Sequence, residues 1–277
     1  MLYFMKLNFK RILAYKVIKL LRISELIRRL YPVAMDVKFE SISQAQLLET
    51  MKLISVNKDE GLQLIRLGSL HDGGYLVVDD LSPRDVMVSL GIGDNADFEY
   101  NISTRIERII AFDHTVDAMP NRSSNSQFNK LGVKGKSVGE FITLTSIINN
   151  ISVKNDLLLK IDIEGSEWEV LDSISETELI RFRQIVGEFH GFNDWANFET
   201  INRVLSKMAR NFYVVNAHAN NWGSYDIIKR IAVPDVIEIT FLRKDAKAVI
   251  RNKDKIQLQM LNSRNNPSNL DLGFNLL

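Results

Sequence analysis

The chain has 277 residues, 45% hydrophobic and 25% charged, ordinary values for one large α/β domain with an appendage or for two small domains. Its formal net charge of +1 singles out no polyanionic partner, and the lack of cysteine excludes disulfides, thiolate zinc sites and cysteine nucleophiles. No run is long enough to span a membrane, and the basic N-terminus has no small-residue cleavage site of a secretory signal, so a cytoplasmic location is expected.

Residues 1–40 read as a separate arm. Lys6, Lys10, Arg11, Lys16, Lys19, Arg22, Arg28 and Arg29 are opposed only by Glu25 before the Tyr31-Pro32 break. Leucine and isoleucine recur between them at helical spacing, which predicts one or two basic amphipathic helices. Such an arm suits peripheral contact with an anionic membrane, or packing on its own domain or on a second copy in a homo-oligomer. Residues 41–261 are expected to form the main domain, and 262–277, rich in Asn, Ser and Pro, an irregular tail.

Within the main domain, Ser41–Val56 has helical periodicity, and Leu62–Leu67 and Tyr75–Val78 read as strands around the turn Gly68–Gly74, where His71 and Asp72 are candidate ligand contacts. From Asp85 onward strands and helices alternate. Strands are predicted at 86–90, 108–112, 134–138, 157–161, 184–189, 211–216 and 236–242, and helices at 98–106, 143–150 and 198–209. Asn121–Asn129 reads as a polar surface loop. The alternation predicts a parallel, doubly wound sheet. Ser166 and Glu169 fit a capping box opening the helix after 157–161.

Candidate chemistry gathers at the strand ends. Gly91-Ile92-Gly93 follows the first strand of the alternation, and glycines there let a nucleotide-like cofactor approach the backbone. The third glycine of a dinucleotide fingerprint and a Walker lysine are both missing. Asp113 stands twenty residues beyond Gly93, at the end of the next strand, where an acid can accept from both ribose hydroxyls; together they predict an adenosine-type cofactor. Asp162 and Glu164, two apart at a strand end, would point the same way on an extended chain. Glu188 with His190, and His218 with Asn220 and Asn221, close two further strands. Carboxylates with imidazoles suit either a divalent metal or a general base with orienting partners.

These segments resemble the FkbM family of S-adenosylmethionine-dependent methyltransferases. The likeness is carried by Lys160-Ile-Asp-Ile-Glu-Gly-Ser-Glu167, with His71–Tyr75, Ser89–Asp94, Phe112–Thr115, Gly187–His190, His218–Asn221 and Pro234–Phe241 in order. It runs from about Gly68 to Arg243 and leaves out the N-terminal arm. The resemblance implies a Rossmann-like, mostly parallel seven-stranded sheet with an antiparallel last strand, and O-methylation of a hydroxyl, often on a sugar of a surface polysaccharide or glycoconjugate. It implies that Gly91 and Gly93 line the methionine part of the cofactor, that Asp113 holds its ribose and that Asp162 lies beside the methyl donor. One departure stands out. Many methyltransferases place an acid just before the glycine loop, where this chain has Ser89-Leu90; Asp94 and Asp72 are the candidates to replace it. On this reading His190 or His218 is the base, because an imidazole suits neutral pH. Asp162, Glu188 and Glu164 orient it or hold a divalent cation. Asn220 and Asn221 hydrogen-bond a glycan or small-molecule hydroxyl acceptor, with Trp222 rather than Trp168 or Trp195 as a sugar platform. No nucleic-acid partner is expected. The rival readings are a nicotinamide-dependent oxidoreductase and a non-catalytic glycan- or membrane-associated module.

Overall fold

The computed structural model describes residues 42–56, 62–152, 156–246 and 261–269; the basic arm lies outside them. In chain order come α1 (Gln44–Lys52), β1 (Leu64–Gly68), β2 (Gly74–Val78), β3 (Val86–Leu90), α2 (Asp97–Ser103), β4 (Arg108–Phe112), β5 (Ser126–Asn129), β6 (Gly132–Val133) and β7 (Phe141–Ile142). Then follow α3 (Leu144–Asn149), β8 (Leu157–Ile161), α4 (Glu167–Ser173), α5 (Glu176–Leu179), β9 (Phe182–Phe189), α6 (Phe198–Asn211), β10 (Phe212–Ala219), β11 (Tyr225–Ile228), β12 (Ile231–Pro234) and β13 (Ile237–Arg243). No helix among the described residues is long and apolar enough to cross a membrane.

Seven strands form the central sheet in the order β10-β13-β9-β8-β3-β4-β5. The strands from β9 to β5 run parallel, and β13 lies antiparallel between β9 and β10, as expected. The inner strands β3, β8 and β9 are apolar over most of their length because both faces are covered. Val86, Val88 and Leu90 point into the core shared with α1, α3, α4 and α6. Met87, between them, joins Leu158 and Val186 in the opposite core under α2 and the β1–β2 hairpin. Helix α6 meets the first core with Ile201, Val204, Leu205 and Met208, the three-and-four spacing of one helical face.

After β3 the chain proceeds to β4 and β5 on one side, then returns to place β8 on the other. The order of the sheet therefore reverses between β3 and β8, and a crevice opens above their C-terminal ends. The β1–β2 hairpin is fixed over this region by buried polar contacts. Gln184 pairs through its carboxamide with both backbone groups of Val78, Thr240 donates to the Leu76 carbonyl, and Arg183 bridges Asp80 and Asp85.

Several elements differ from expectation. The stretch 126–129 is a strand, β5, whose polar sequence suits an edge of the sheet. Residues 134–138 form no strand; short β6 and β7 flank them instead. The β11–β12 hairpin was not legible, since its apolar residues are split between a buried and an exposed face. Ser166 makes no side-chain cap, because its backbone is not extended (φ −102, ψ 2). Glu167 instead accepts from the loop N–H groups of Ile163 and Gly165.

Candidate functional site

A cleft of about 530 Å³ opens above the ends of β8, β3 and β4. Gly91, Gly93, Asp94, Asp113, Asp162 and Asp72, all named from the sequence as cofactor contacts, line it. Gly91 has φ +78, and a Cβ there would come within 1.6 Å of the Asp162 carbonyl oxygen, so the loop closes only with glycine. This close approach brings the glycine loop against the strand end that carries Asp162.

Asp113 is buried and fully engaged. One oxygen accepts from the N–H groups of Ile92 (2.7 Å) and Gly93 (2.8 Å), the other from the N–H (2.7 Å) and hydroxyl (2.6 Å) of Thr115. Burial alone would raise its pKa, but these hydrogen bonds outweigh that and hold it below the usual value. Asp113 is therefore the brace of the glycine loop, a role the spacing did not reveal. His114 and Phe141, in edge contact with centroids 4.8 Å apart, line the same part of the cleft.

Asp162 leaves the end of β8 with its N–H bonded to the Leu90 carbonyl. Its carboxylate accepts from the Tyr75 hydroxyl at 2.7 Å, and the Lys160 ammonium lies 3.9 Å away. Lys160 donates to the Gly91 carbonyl. Burial first, then the charges of Asp162 and Glu188, push the Tyr75 phenol well above its ordinary pKa, which keeps it a donor. Tyr75 belongs to the glycine-turn segment, but its position 87 residues before Asp162 hid the pairing.

Beyond Asp162 lies a cluster of charges. Donor atoms of Asp162, Glu188 and His190 all fall within 4.8 Å of one another. His190 places Nδ1 3.1 Å from buried Glu167 and Nε2 3.3 Å from Glu188. Burial works against its charge, yet the hydrogen bonds and charges of Glu167 and Glu188 prevail and raise its pKa to about 11. That shift favours the imidazolium at neutral pH and counts against the part of free base expected of His190. Glu188 is pushed up to about 7, by burial above all and by the charges of Asp162 and Glu238, against the lowering contact with His190. Glu164 does not point alongside Asp162. Its left-handed backbone (φ +55) turns the chain, and its side chain is 87% exposed, reaching His190 Nε2 at 3.5 Å. The group best placed around a cation is thus Asp162, Glu188 and His190 rather than a set with Glu164, and the imidazolium already supplies positive charge there.

The third strand-end group lies deeper than expected. His218 on β10 faces Glu238 on β13, which faces Glu188 on β9, so three titratable residues lie in cross-strand register. Glu238 is a buried member of this row that sequence reasoning missed. Asn220 is buried, donates to Glu188 at 2.8 Å and accepts from the Trp222 N–H. Asn221 is buried under the described end of the chain, accepting from the Asn266 N–H and donating to its carbonyl. Neither carboxamide is open to an acceptor as it stands. Trp222 is 62% exposed, as a platform needs, whereas Trp168 is a core residue stacked near Phe189 and Phe192. The side chain of Trp195 lies outside the described set.

Residues 81–215 match the family model of the methyltransferase FkbM domain. The chain matches none of the curated protein sequences. Among solved structures, an rRNA methylase from Streptococcus thermophilus is 14% identical over 59% of this chain and 89% of its own, with a TM-score of 0.37. The N-methyltransferase NodS from Bradyrhizobium japonicum WM9 is 11% identical over 59% and 87%, with a TM-score of 0.33. Scores this low support no inference from either protein. The family match covers the glycine loop, Asp113, Asp162, Glu188 and His190, and it removes the oxidoreductase alternative. Residues 81–215 match a methyltransferase FkbM domain, and the enzyme that carries it is an S-adenosylmethionine-dependent methyltransferase.

Proposed function

We propose that the chain methylates a hydroxyl group of a sugar, carried by a surface polysaccharide or glycoconjugate, with Glu188 as the proton acceptor. The observation that carries this reading is the convergence of Asp162, Glu188 and His190 beside the glycine-loop cleft. S-adenosylmethionine, when bound, supplies an electrophilic methyl group. The residues must then align a hydroxyl and take its proton. Glu188, raised to about 7, is matched to that task near neutral pH, while an ordinary carboxylate is too weak a base. The charge of His190 limits the repulsion between Glu188 and its acidic neighbours. Tyr75 and Asn220 hold Asp162 and Glu188 in place through one hydrogen bond each. The carboxylates of Asp72, Asp94, Asp162 and Glu164 outnumber the ammonium groups of Lys134 and Lys160 around the cleft, a balance that suits a neutral sugar better than a phosphate backbone. Exposed Trp222, beside Asn220, is the sugar platform.

A divalent cation on Asp162, Glu188 and His190 would compete with the His190 proton, so transfer is expected to survive a chelator. The deciding assay offers radiolabelled S-adenosylmethionine with a panel of mono- and polysaccharides, nucleotide sugars and RNA. Label should enter a sugar hydroxyl, and Asp162→Ala should abolish transfer while S-adenosylhomocysteine still binds. Label in RNA alone, or full activity of Asp162→Ala, would overturn the reading.

A further inference from the structure

We infer that Glu99 receives the ammonium group of the cofactor's amino-acid end and replaces the acid missing from the end of β3. The inference rests on the S-adenosylmethionine dependence of the family. Glu99 lies on α2, ten residues beyond Ser89, and is only 1% exposed. Its carboxylate reaches back under the glycine loop, where the Ser89 hydroxyl donates to Oε1 at 2.5 Å. Among the described residues the Ser89 hydroxyl is the one side chain that donates to this carboxylate, and no lysine, arginine or histidine forms an ion pair with it. Lys160 sits on the strand next to Ser89 and in register with it, but its ammonium is given to the Gly91 carbonyl and lies near Asp162.

A carboxylate so deeply placed, held by one neutral hydroxyl, is costly unless a positive charge comes to it. Glu99 is also a lining residue of the cleft, together with Tyr75, Phe98, Gly91 and Gly93. The ligand of that cleft carries a primary ammonium and a sulfonium, so the missing charge is one that the ligand brings. The arrangement explains how Ser89 can stand two residues before Gly91 in place of an acid. The strand supplies the hydroxyl, the helix supplies the charge, and the hydrogen bond between them fixes where that charge sits. The aromatic side chains of Tyr75 and Phe98, in edge contact at 5.3 Å, restrict water around it and strengthen the expected pairing.

The test compares two cofactor-like ligands by calorimetry on the full chain. S-adenosylhomocysteine has the ammonium; 5′-methylthioadenosine keeps the adenosine and the sulfur but has no amino-acid end. Glu99→Gln should weaken S-adenosylhomocysteine by roughly ten- to a hundredfold, the effect of removing a charged hydrogen-bond partner, and leave methylthioadenosine within about twofold. The double variant Ser89→Asp/Glu99→Gln, which returns an acid to the strand, should recover most of the lost affinity. Unchanged binding of S-adenosylhomocysteine to Glu99→Gln overturns the inference. So does equal weakening of both ligands, which would mark Glu99 as a support of the loop. If Glu99→Gln unfolds, the double variant decides: discrimination between the two ligands at the wild-type level supports the inference, and its absence refutes it. Wild-type protein that binds neither ligand would instead overturn the cofactor assignment, and this inference with it.

Discussion

At the scale of single residues, the charges in the site are set by partners that lie far apart in the sequence. His190 is the residue whose ordinary pKa best suits a base at neutral pH. In the folded chain Glu167 and Glu188 surround it and hold its proton to about pH 11. Glu188, an ordinary acid by sequence, becomes the group that titrates near 7. The rate of transfer should therefore rise with pH through about 7 as Glu188 loses its proton. Glu188→Gln should lower the rate by about a hundredfold or more and remove that rising limb, with S-adenosylhomocysteine affinity kept. A Glu188→Gln enzyme with the wild-type pH profile would shift the base elsewhere. The linkage runs in the opposite sense for stability. The folded protein binds more protons than the unfolded chain at Glu188 between about pH 4.5 and 7, so this group's contribution declines as pH rises across that window. Gly91, Gly93 and Asp113 were legible as cleft residues because a glycine loop and an acid at fixed spacing are local signals, but the bracing bonds of Asp113 to that loop were not. Tyr75, Glu99 and Glu238 were not, because each acts across a contact that no sequence spacing records.

At the scale of elements, hydrophobic runs identified the inner strands, since burial on both faces leaves no polar residue in most of β3, β4 and β8. Edge strand β5 and the β11–β12 hairpin escaped for the converse reason, having one open face each. The tail shows a further limit. An Asn- and Ser-rich composition predicts irregular chain and says nothing of what that chain covers. The described part, 261–269, lies across the polar end of the sheet: Asn265 donates to Glu238, the Arg264 carbonyl contacts His71, and Asn266 is bonded at both backbone groups to the Asn221 side chain. Asn221→Ala should release this segment at a cost of about 1–3 kcal/mol, the penalty for leaving buried partners unmade. Amide hydrogen exchange over 261–269 should accelerate while the cofactor cleft, lined by other residues, keeps its affinity. Unaltered exchange there would show that Asn221 does not hold the segment.

At the scale of the whole molecule, the family match and the folding unit do not coincide. The match ends at residue 215, inside β10. In the sheet, however, β10 touches β9 only through β13, which comes from residues 237–243. A chain cut at residue 215 would leave β9 with an open apolar edge and β10 with no strand beside it. At the other end, a chain starting at residue 81 lacks the β1–β2 hairpin. That hairpin covers the second core with Tyr75 and Val77, and it supplies the backbone partners of Gln184. Without it, the Gln184 carboxamide and the Asp162 carboxylate each lose a buried partner. The matched segment carries most of the site residues, but their geometry is imposed by strands on both sides of it. A fragment of residues 81–215 should therefore show no cooperative thermal transition and no S-adenosylhomocysteine binding, whereas the full chain should show both. A sharp melting transition from the fragment would mean that β13 and the hairpin are accessory, and that the charge row from His218 through Glu238 to Glu188 is not needed to build the site.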